Sequence, residues 1–402
     1  MRLNRLAVGC LLLALVGCLG QQPLLYDVTV SPTTISPNAD GVEDVAAFRY
    51  EVSRGCRLSI TFIGPDGEER TFRRDMRRSP GAYEALFGGS VEGRVLPDGQ
   101  YTYVVEATDE ATDDGGITER VEGQITVVGG DTTLPELRDF TLFPQEFTPN
   151  QDGINDRVRV NYVLTKLADV RVWIEDDQGR FVTSILEEEK SPVEPGMPGR
   201  HQYDYDAGVD ADAPPPPDGT YTVIAEARDG VGNVVRETAP LIIVEGGVPR
   251  ATILNAEIGP SIVPLGEALA ITATVKNVGS VPIRTTGPPP GTEYTTQENY
   301  NTQGFPQESG AFRLGAEFDA NVTGLGYPYR WRLGDDEDLE VRVINGQEHT
   351  YLPVDKTVTV TGYIRIVDRP WRRTTYFYVG LFHEDVRKVE GEVAPTRITI
   401  EY

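Results

Sequence analysis

Two short motifs occur twice in this chain, in the same order, and they constrain its architecture before composition is considered. Pro37-Asn38-Ala39-Asp40-Gly41-Val42-Glu43-Asp44 returns as Pro149-Asn150-Gln151-Asp152-Gly153-Ile154-Asn155-Asp156, 112 positions later. Pro97-Asp98-Gly99-Gln100-Tyr101-Thr102 returns as Pro217-Asp218-Gly219-Thr220-Tyr221-Thr222, 120 positions later. Both second motifs run on into Glu-Ala-x-Asp, at 106–109 and 226–229. The second copy is eight residues longer between the motifs, and Pro214 to Pro217 lie in that interval. A period this long is that of tandem domains, not of a solenoid of short repeats.

Each copy reads as all-β. Val158, Val160, Tyr162 and Leu164 alternate with polar residues, then Val170, Val172 and Ile174 do the same. Leu58, Ile60 and Phe62 are the counterpart in the first copy. Residues two apart in a strand share a face, so this alternation marks half-buried strands, with Gly, Pro, Asn and Asp marking the turns between them. Asp98-Gly99 and Asp218-Gly219 are turn dipeptides leading into Tyr-rich strands, and 229–233 (Asp-Gly-Val-Gly-Asn) has the composition of a hairpin loop. About seven short strands in about 100 residues is the size of an immunoglobulin-like sandwich. In the last third Leu269, Ile271, Ala273 and Val275 alternate, Lys276-Asn277-Val278-Gly279 closes that strand, and more strands are expected at 339–344, 358–367, 375–382 and 397–401. Gly129-Gly130 and Gly246-Gly247-Val248-Pro249 mark the junctions. The expected fold class is all-β: three tandem immunoglobulin-like β-sandwiches over 18–130, 131–247 and 248–402, the last with a long aromatic-rich loop.

The Ser/Thr-Pro-Asn-x-Asp-Gly-x-x-Asp opening with a later Pro-Asp-Gly-x-Tyr-Thr strand resembles the Ig-like domain of flagellar hook-capping proteins and of modules at the C-termini of many secreted bacterial proteins. The resemblance covers residues 26–128 and 137–245, about half the chain. The rest of a hook-capping protein has no counterpart here, so the resemblance implies the domain and not a flagellar role. The Val-Lys-Asn-x-Gly strand of the last third resembles adhesion-related β-sandwich modules of bacterial and archaeal surface proteins.

The N-terminus addresses the chain. Arg2 and Arg5 precede an apolar run from Leu6 to Val16, 11 residues long. A bilayer needs about 20, so the run reads as a secretory signal. It ends in Leu15-Val16-Gly17-Cys18, which resembles the lipobox of bacterial lipoprotein precursors. That resemblance implies a signal peptide over 1–17, lipidation of Cys18 and a membrane anchor, since two or three acyl chains hold a protein stably where one is marginal. The alternative is an ordinary signal peptide cut near Gly20. The expected location is the cell envelope, lipid-anchored, on the extracytoplasmic or extracellular side.

The formal charge is −25; without Arg2 and Arg5, 35 basic residues face 62 acidic ones, or −27. Such a body repels phosphate backbones, so nucleic acid is not expected as a partner. Of three cysteines, Cys10 lies in the signal, Cys18 is the lipid site and Cys56 stands alone, which leaves the domains to be held by their cores.

Two groups of residues are candidates for binding. In the repeated loops, oxygens at alternate positions followed by Gly and another carboxylate resemble the first half of an EF-hand calcium loop. Asn38, Asp40 and Asp44, and Asn150, Asp152 and Asp156, would be the calcium ligands. The bidentate Glu at position 12 is missing, its place taken by Ala47 and Arg159. The other reading is an Asx-type turn in which these side chains accept hydrogen bonds from their own backbone. The second group lies in 285–333: Tyr294, Tyr300, Phe305, Tyr327, Tyr329 and Trp331, with Phe312 and Phe318. Exposed, these rings would stack on sugar or anchor a surface protein; the alternative is that they pack the loop onto its sandwich.

Catalytic signatures are missing. His201, His349 and His383 lack spaced partners, and there is no nucleophile elbow, zinc helix, phosphate loop or dinucleotide fingerprint. The acidic runs 187–189 and 335–338 read as solvated surface. The expectation is a non-enzymatic, lipid-anchored surface protein with a structural, adhesive or ligand-presenting role, its first two domains a stalk and its third a binding face for glycan or protein. A carbohydrate-binding accessory lipoprotein of the envelope and a divergent secreted hydrolase are the alternatives.

Overall fold

The computed structural model describes residues 22–110, 116–186, 193–211 and 213–402. The signal segment, Cys18 and the acidic run 187–189 lie outside the described residues.

The motif repeat is matched by a topological one. In the first sandwich Leu25–Ser31, Ala46–Val52 and Gly81–Phe87 form one sheet. The other runs Thr34–Ile35, Thr118–Val127, Gly99–Asp109, Cys56–Ile63, Glu69–Arg78. The second sandwich repeats both orders, with Leu137–Phe143, Val158–Leu164 and Gly199–Tyr205 in one sheet. Its other sheet runs Glu146–Phe147, Val234–Ile243, Gly219–Arg228, Asp169–Glu175, Phe181–Ile185.

The last third, which shows neither motif, follows the same plan. Ala251–Gly259, Ala268–Asn277, Thr357–Arg365 and Glu293–Thr295 form one sheet. Ile262–Pro264, Arg387–Glu401, Thr374–His383, Phe312–Phe318 and Tyr329–Arg332 form the other. In all three sandwiches a strand of two or three residues pairs parallel with the last strand. It follows a cis X-Pro bond each time, at Ser31-Pro32, Phe143-Pro144 and Gly259-Pro260. An added sheet of Ile283–Arg284, Gln347–Leu352 and Glu340–Ile344 belongs to the third sandwich alone.

Alternation along the strands becomes three separate cores. Phe48, Phe62, Phe87 and Val105 are fully buried in the first, Val160, Ile174, Val223 and Leu241 in the second, and Leu269, Val360, Val379 and Ile398 in the third. Cys56 is a free, fully buried thiol, and burial pushes its pKa up, so it behaves as a core residue. By contacts the chain divides into two compact units: 1–135 with the turn 228–235, and 136–227 with 236–402. The second unit thus holds the third sandwich and nearly all of the second.

The Pro-Asp-Gly-x-Tyr motif serves the way the chain leaves a sandwich. Asp98 accepts hydrogen bonds from the amides of Gly129 (2.9 Å) and Gly130 (3.0 Å), and Asp218 from those of Glu245 (2.9 Å) and Gly246 (3.0 Å). The Tyr101 and Tyr221 hydroxyls donate to the Pro97 and Pro217 carbonyls, at 2.8 and 2.6 Å. Each is a tyrosine reaching back over the turn that precedes its strand, the arrangement seen at corners of immunoglobulin-like sandwiches. The two exit amides bound to Asp98 hold its pKa below the usual carboxylate range.

Candidate functional site

The repeated loop has one backbone in both copies. Ala39, Gly41 and Glu43 have φ of 64°, 85° and 54°, and Gln151, Gly153 and Asn155 have 56°, 83° and 54°. Three left-handed residues in five would be costly without local hydrogen bonds, and the Asn and Asp side chains supply them. Asn38 Oδ1 accepts from Asp40 N (2.9 Å), Asp40 Oδ1 from Val42 N (2.8 Å), and Asp44 from Asn38, Ala39 and Gly41 N (3.1, 2.9 and 2.7 Å). In the second copy Asn150 Oδ1 accepts from Asp152 N (3.0 Å) and Asp152 Oδ1 from Ile154 N (2.9 Å). Asp156 accepts from Asn150, Asp152 and Gly153 N (3.4, 3.2 and 2.6 Å). All six candidate calcium ligands therefore accept backbone hydrogen bonds from their own loop, and among the described residues no group of three or more His, Cys, Asp or Glu converges as a metal site.

The surroundings of the two loops differ. Asn38, Ala39 and Asp40 are exposed. Asn150, Gln151 and Asp152 are 5%, 7% and 4% exposed, covered by the third sandwich. The Tyr351 hydroxyl donates to Asp152 Oδ2 at 2.6 Å, and His383 Nε2 meets the Gln151 carbonyl at 2.7 Å. Backbone presses on backbone there. A Cβ on Gly153 would overlap the Ser309 carbonyl, and one on Gly310 would overlap the Asp152 backbone, whereas the same atom on Gly41 would meet nothing within 4 Å. Ser309 is in turn fixed by Arg284, whose guanidinium donates to its carbonyl (3.2 Å) and to Glu308 (3.1 Å).

Burial changes the electrostatics of identical side chains. At Asp44 desolvation is the largest single influence and pushes upward, but the amides of Gly41, Asn38 and Ala39 together outweigh it and leave the pKa below the usual range. At Asp156 desolvation and then the charge of Asp152 push the pKa up to about 7, against three amide donors. Desolvation also raises Asp152, opposed by the Tyr351 hydrogen bond. His383 is pushed down to about 4 by burial, so it is neutral in the seam at pH 7.

The aromatic segment corrects an expectation. Tyr294, Tyr300, Tyr327, Tyr329 and Trp331 are buried, at 0%, 2%, 7%, 1% and 0% exposure, and Phe305 is half-buried. Rings in these positions do not form a stacking face. The segment supplies strands to both sheets, and two buried arginines hold its carbonyls. Arg313 donates to Thr286, Phe305 and Pro306 O (2.7, 3.2 and 3.0 Å). Arg330 donates to Tyr327 and Gly326 O (both 3.2 Å) and pairs with Glu384 (2.7 Å), its guanidinium lying between Tyr300 and Phe382. Tyr294 OH donates to Arg330 O (2.7 Å) and Trp331 Nε1 to Thr292 O (3.0 Å), so these two polar ring atoms are satisfied inside the domain. A Cβ on Gly362 would overlap Trp331, which lies flat on that glycine.

The remaining candidates are structural in their surroundings. His201 is buried, stacked on Tyr162, with Nε2 2.7 Å from the Met197 carbonyl. Asp335, Asp336 and Glu337 are exposed and Asp338 is half-buried, with Asp336 paired to Arg332 and Asp338 to Lys356. Among the described residues no helix is long and apolar enough to cross a membrane.

No family model matches the chain, and no curated protein matches it. Among solved structures it is similar to E. coli alpha-2-macroglobulin in its native conformation (TM-score 0.20, 10% identity, over 94% of this chain and 23% of that one). It is also similar to a Ca2+-stabilized adhesin with which an Antarctic bacterium binds ice (TM-score 0.20, 14% identity, over 94% and 71%). A third is the fibronectin(III)-like modules of Clostridium thermocellum CbhA (TM-score 0.22, 12% identity, over 65% and 92%). The chain spans less than a quarter of the macroglobulin's length, at 23%.

Proposed function

We propose that this chain is a non-enzymatic protein of the cell envelope, anchored through lipidated Cys18 on the extracytoplasmic side, with a structural or adhesive role. The first two sandwiches act as spacers and the third presents a binding face. The observation that supports this most is the use of the repeated polar residues. Asp98 and Asp218 hold the backbone where the chain leaves a sandwich. Asn150, Asp152 and Asp156 shape a loop that docks on the third sandwich. These are groups that a catalytic protein would aim at a substrate; here they accept hydrogen bonds from the backbone of their own loop or of the segment leaving their own sandwich.

The anchor is tested by metabolic labelling with a radioactive or clickable fatty acid, followed by fractionation, of the full precursor and its Cys18→Ala variant. Label and membrane association in the first, with both lost in the second, is the expected result. An unlabelled precursor would remove the anchor and leave a freely secreted protein.

A further inference from the structure

In a chain of net charge −25, most arginines that reach solvent meet a carboxylate: Arg49 pairs with Glu84, Arg157 with Asp204, Arg236 with Glu226 and Arg365 with Glu293. Single exposed arginines such as Arg94 and Arg159, and the neighbours Arg73 and Arg74, have no ion pair among the described residues either, but one turn gathers three such arginines around an exposed tryptophan. Asp368-Arg369-Pro370-Trp371-Arg372-Arg373 crosses from Thr357–Arg365 in one sheet of the third sandwich to Thr374–His383 in the other. Arg369, Arg372 and Arg373 are exposed, and none forms an ion pair with a described residue. Trp371 is 67% exposed, unlike the buried Trp331.

Aromatic rings organise the three charges. The Arg369 and Arg373 guanidinium carbons both lie 4.9 Å from the centroid of the Tyr402 ring, and that of Arg372 lies 4.3 Å from Trp371. Two cations drawn to one ring repel each other, and such contacts at exposed sites contribute only about 0.5–1 kcal/mol. The turn itself is fixed: Ile400 N donates to Arg373 O (2.7 Å), Val367 N to Thr296 Oγ1 (3.2 Å) and Ile366 N to Glu267 O (3.0 Å). The nearest carboxylate in sequence, Asp368, is engaged by Gln297 Nε2 (3.0 Å) and Thr296 Oγ1 (3.2 Å) instead of by an arginine. Glu401 is the other acidic residue adjoining the group in sequence, next to Tyr402.

We propose that this turn is a binding tip for an acidic polysaccharide, whose pyranose ring stacks on the open face of Trp371 while its carboxylates meet Arg369, Arg372 and Arg373. An indole offers a flat apolar face matched to the C–H face of a sugar ring, and guanidinium groups suit bidentate carboxylate recognition. A peptide would dock by pairing with a free strand edge, and both strands the turn joins are flanked on each side within their sheets. A bilayer would require more than one inserted apolar side chain, and Trp371 is the one large apolar side chain exposed in the turn.

This rests on the reading of the third sandwich as the presenting domain, and is independent of the anchor. The test uses residues 22–402 against immobilised polygalacturonate, neutral dextran and vesicles of phosphatidylglycerol with phosphatidylcholine. Binding to polygalacturonate that weakens with salt, is at least tenfold weaker in Trp371→Ala and in the Arg372→Ala/Arg373→Ala pair, and is absent on dextran is the expected result. Both sites are exposed, so unchanged melting temperatures accompany it. Polygalacturonate binding unaffected by the substitutions would overturn the tip and keep the presenting role, with the sugar held elsewhere. Binding to vesicles alone, or to neither probe, would overturn the polysaccharide, while envelope association of the Cys18 precursor would still support the proposed function.

Discussion

The loops at 37–44 and 149–156 share nearly all their chemistry and differ in their neighbours. Both place three left-handed residues in the same order, and both close on an Asp that accepts from three amides. One stands exposed, and the other is covered by the third sandwich, with a tyrosine on its central Asp and a histidine on its backbone. The comparison teaches that the motif is first a way to stabilise a strained turn. Docking is a second use, added where a neighbour supplies complementary groups. The glycine shows this best: at 41 it is needed for its φ alone, and at 153 for its φ and for the approach of Ser309 as well.

Substitution of the two glycines gives the largest expected difference. Left-handed φ costs a non-glycine residue roughly 1–2 kcal/mol, and overpacking adds about 1–3 kcal/mol where the space is filled. All three tryptophans, Trp173, Trp331 and Trp371, lie in the second unit, so their fluorescence reports its unfolding. Gly153→Ala should lower the stability read by tryptophan in denaturant by about 3 kcal/mol or more, and Gly41→Ala should leave that transition in place. Equal effects would mean that the seam does not press on the loop.

A smaller effect, of opposite sign in the two copies, comes from pH. Asp156 stands at about 7 in the folded protein against 3.8 ordinarily, so it contributes stability at low pH that is lost as pH rises through that interval. Asp44 is lowered, so its contribution is present above 3.8 and is lost as pH falls through its folded value. His383, at about 4 against 6.5, loses its contribution as pH falls from 6.5 toward 4 and opposes Asp156 there. Acid titration of melting temperature should therefore show Asp156→Asn more acid-sensitive than the parent, His383→Gln less so, and Asp44→Asn less so below pH 4. The same sign in Asp44→Asn and Asp156→Asn would contradict the difference in burial.

Much of this was legible in the chain. The spacing of the two motifs gives the tandem sandwiches, and alternation at Val158 to Leu164 or Leu269 to Val275 matches observed strands. The third sandwich was expected from its alternating strands, but its sharing the strand order of the first two was not legible. It lacks both motifs, and residues 278–311 and 333–356 are inserted between strands that are close in sequence in the first two. The sequence left the aromatic rings open to two readings, a binding surface or packing onto the sandwich, because Gly, Pro and polar residues surround them. What buries them is a set of long-range bonds, such as Arg330 to Glu384 and Arg313 to Thr286, that no local pattern announces. Nor could sequence separate the two loops, since Tyr351 stands 199 residues from Asp152. The Arg-Pro-Trp-Arg-Arg run at 369–373, by contrast, is a signal that the sequence itself carries, a basic and aromatic cluster in an acidic chain.

The central claim, that one loop is used in two ways, is tested most directly by native-state hydrogen exchange on residues 22–402, resolved to peptides spanning 36–46 and 148–158. Exchange protection reports the free energy of the opening that frees an amide, from nearly zero for local fraying to the global value for core. The amides of Asp152, Gly153 and Ile154 should open only with the core of the second unit, and those of Asp40, Gly41 and Val42 through a local opening at much lower free energy. Equal protection in the two peptides would contradict the account and leave the repeated motif as turn chemistry in both places.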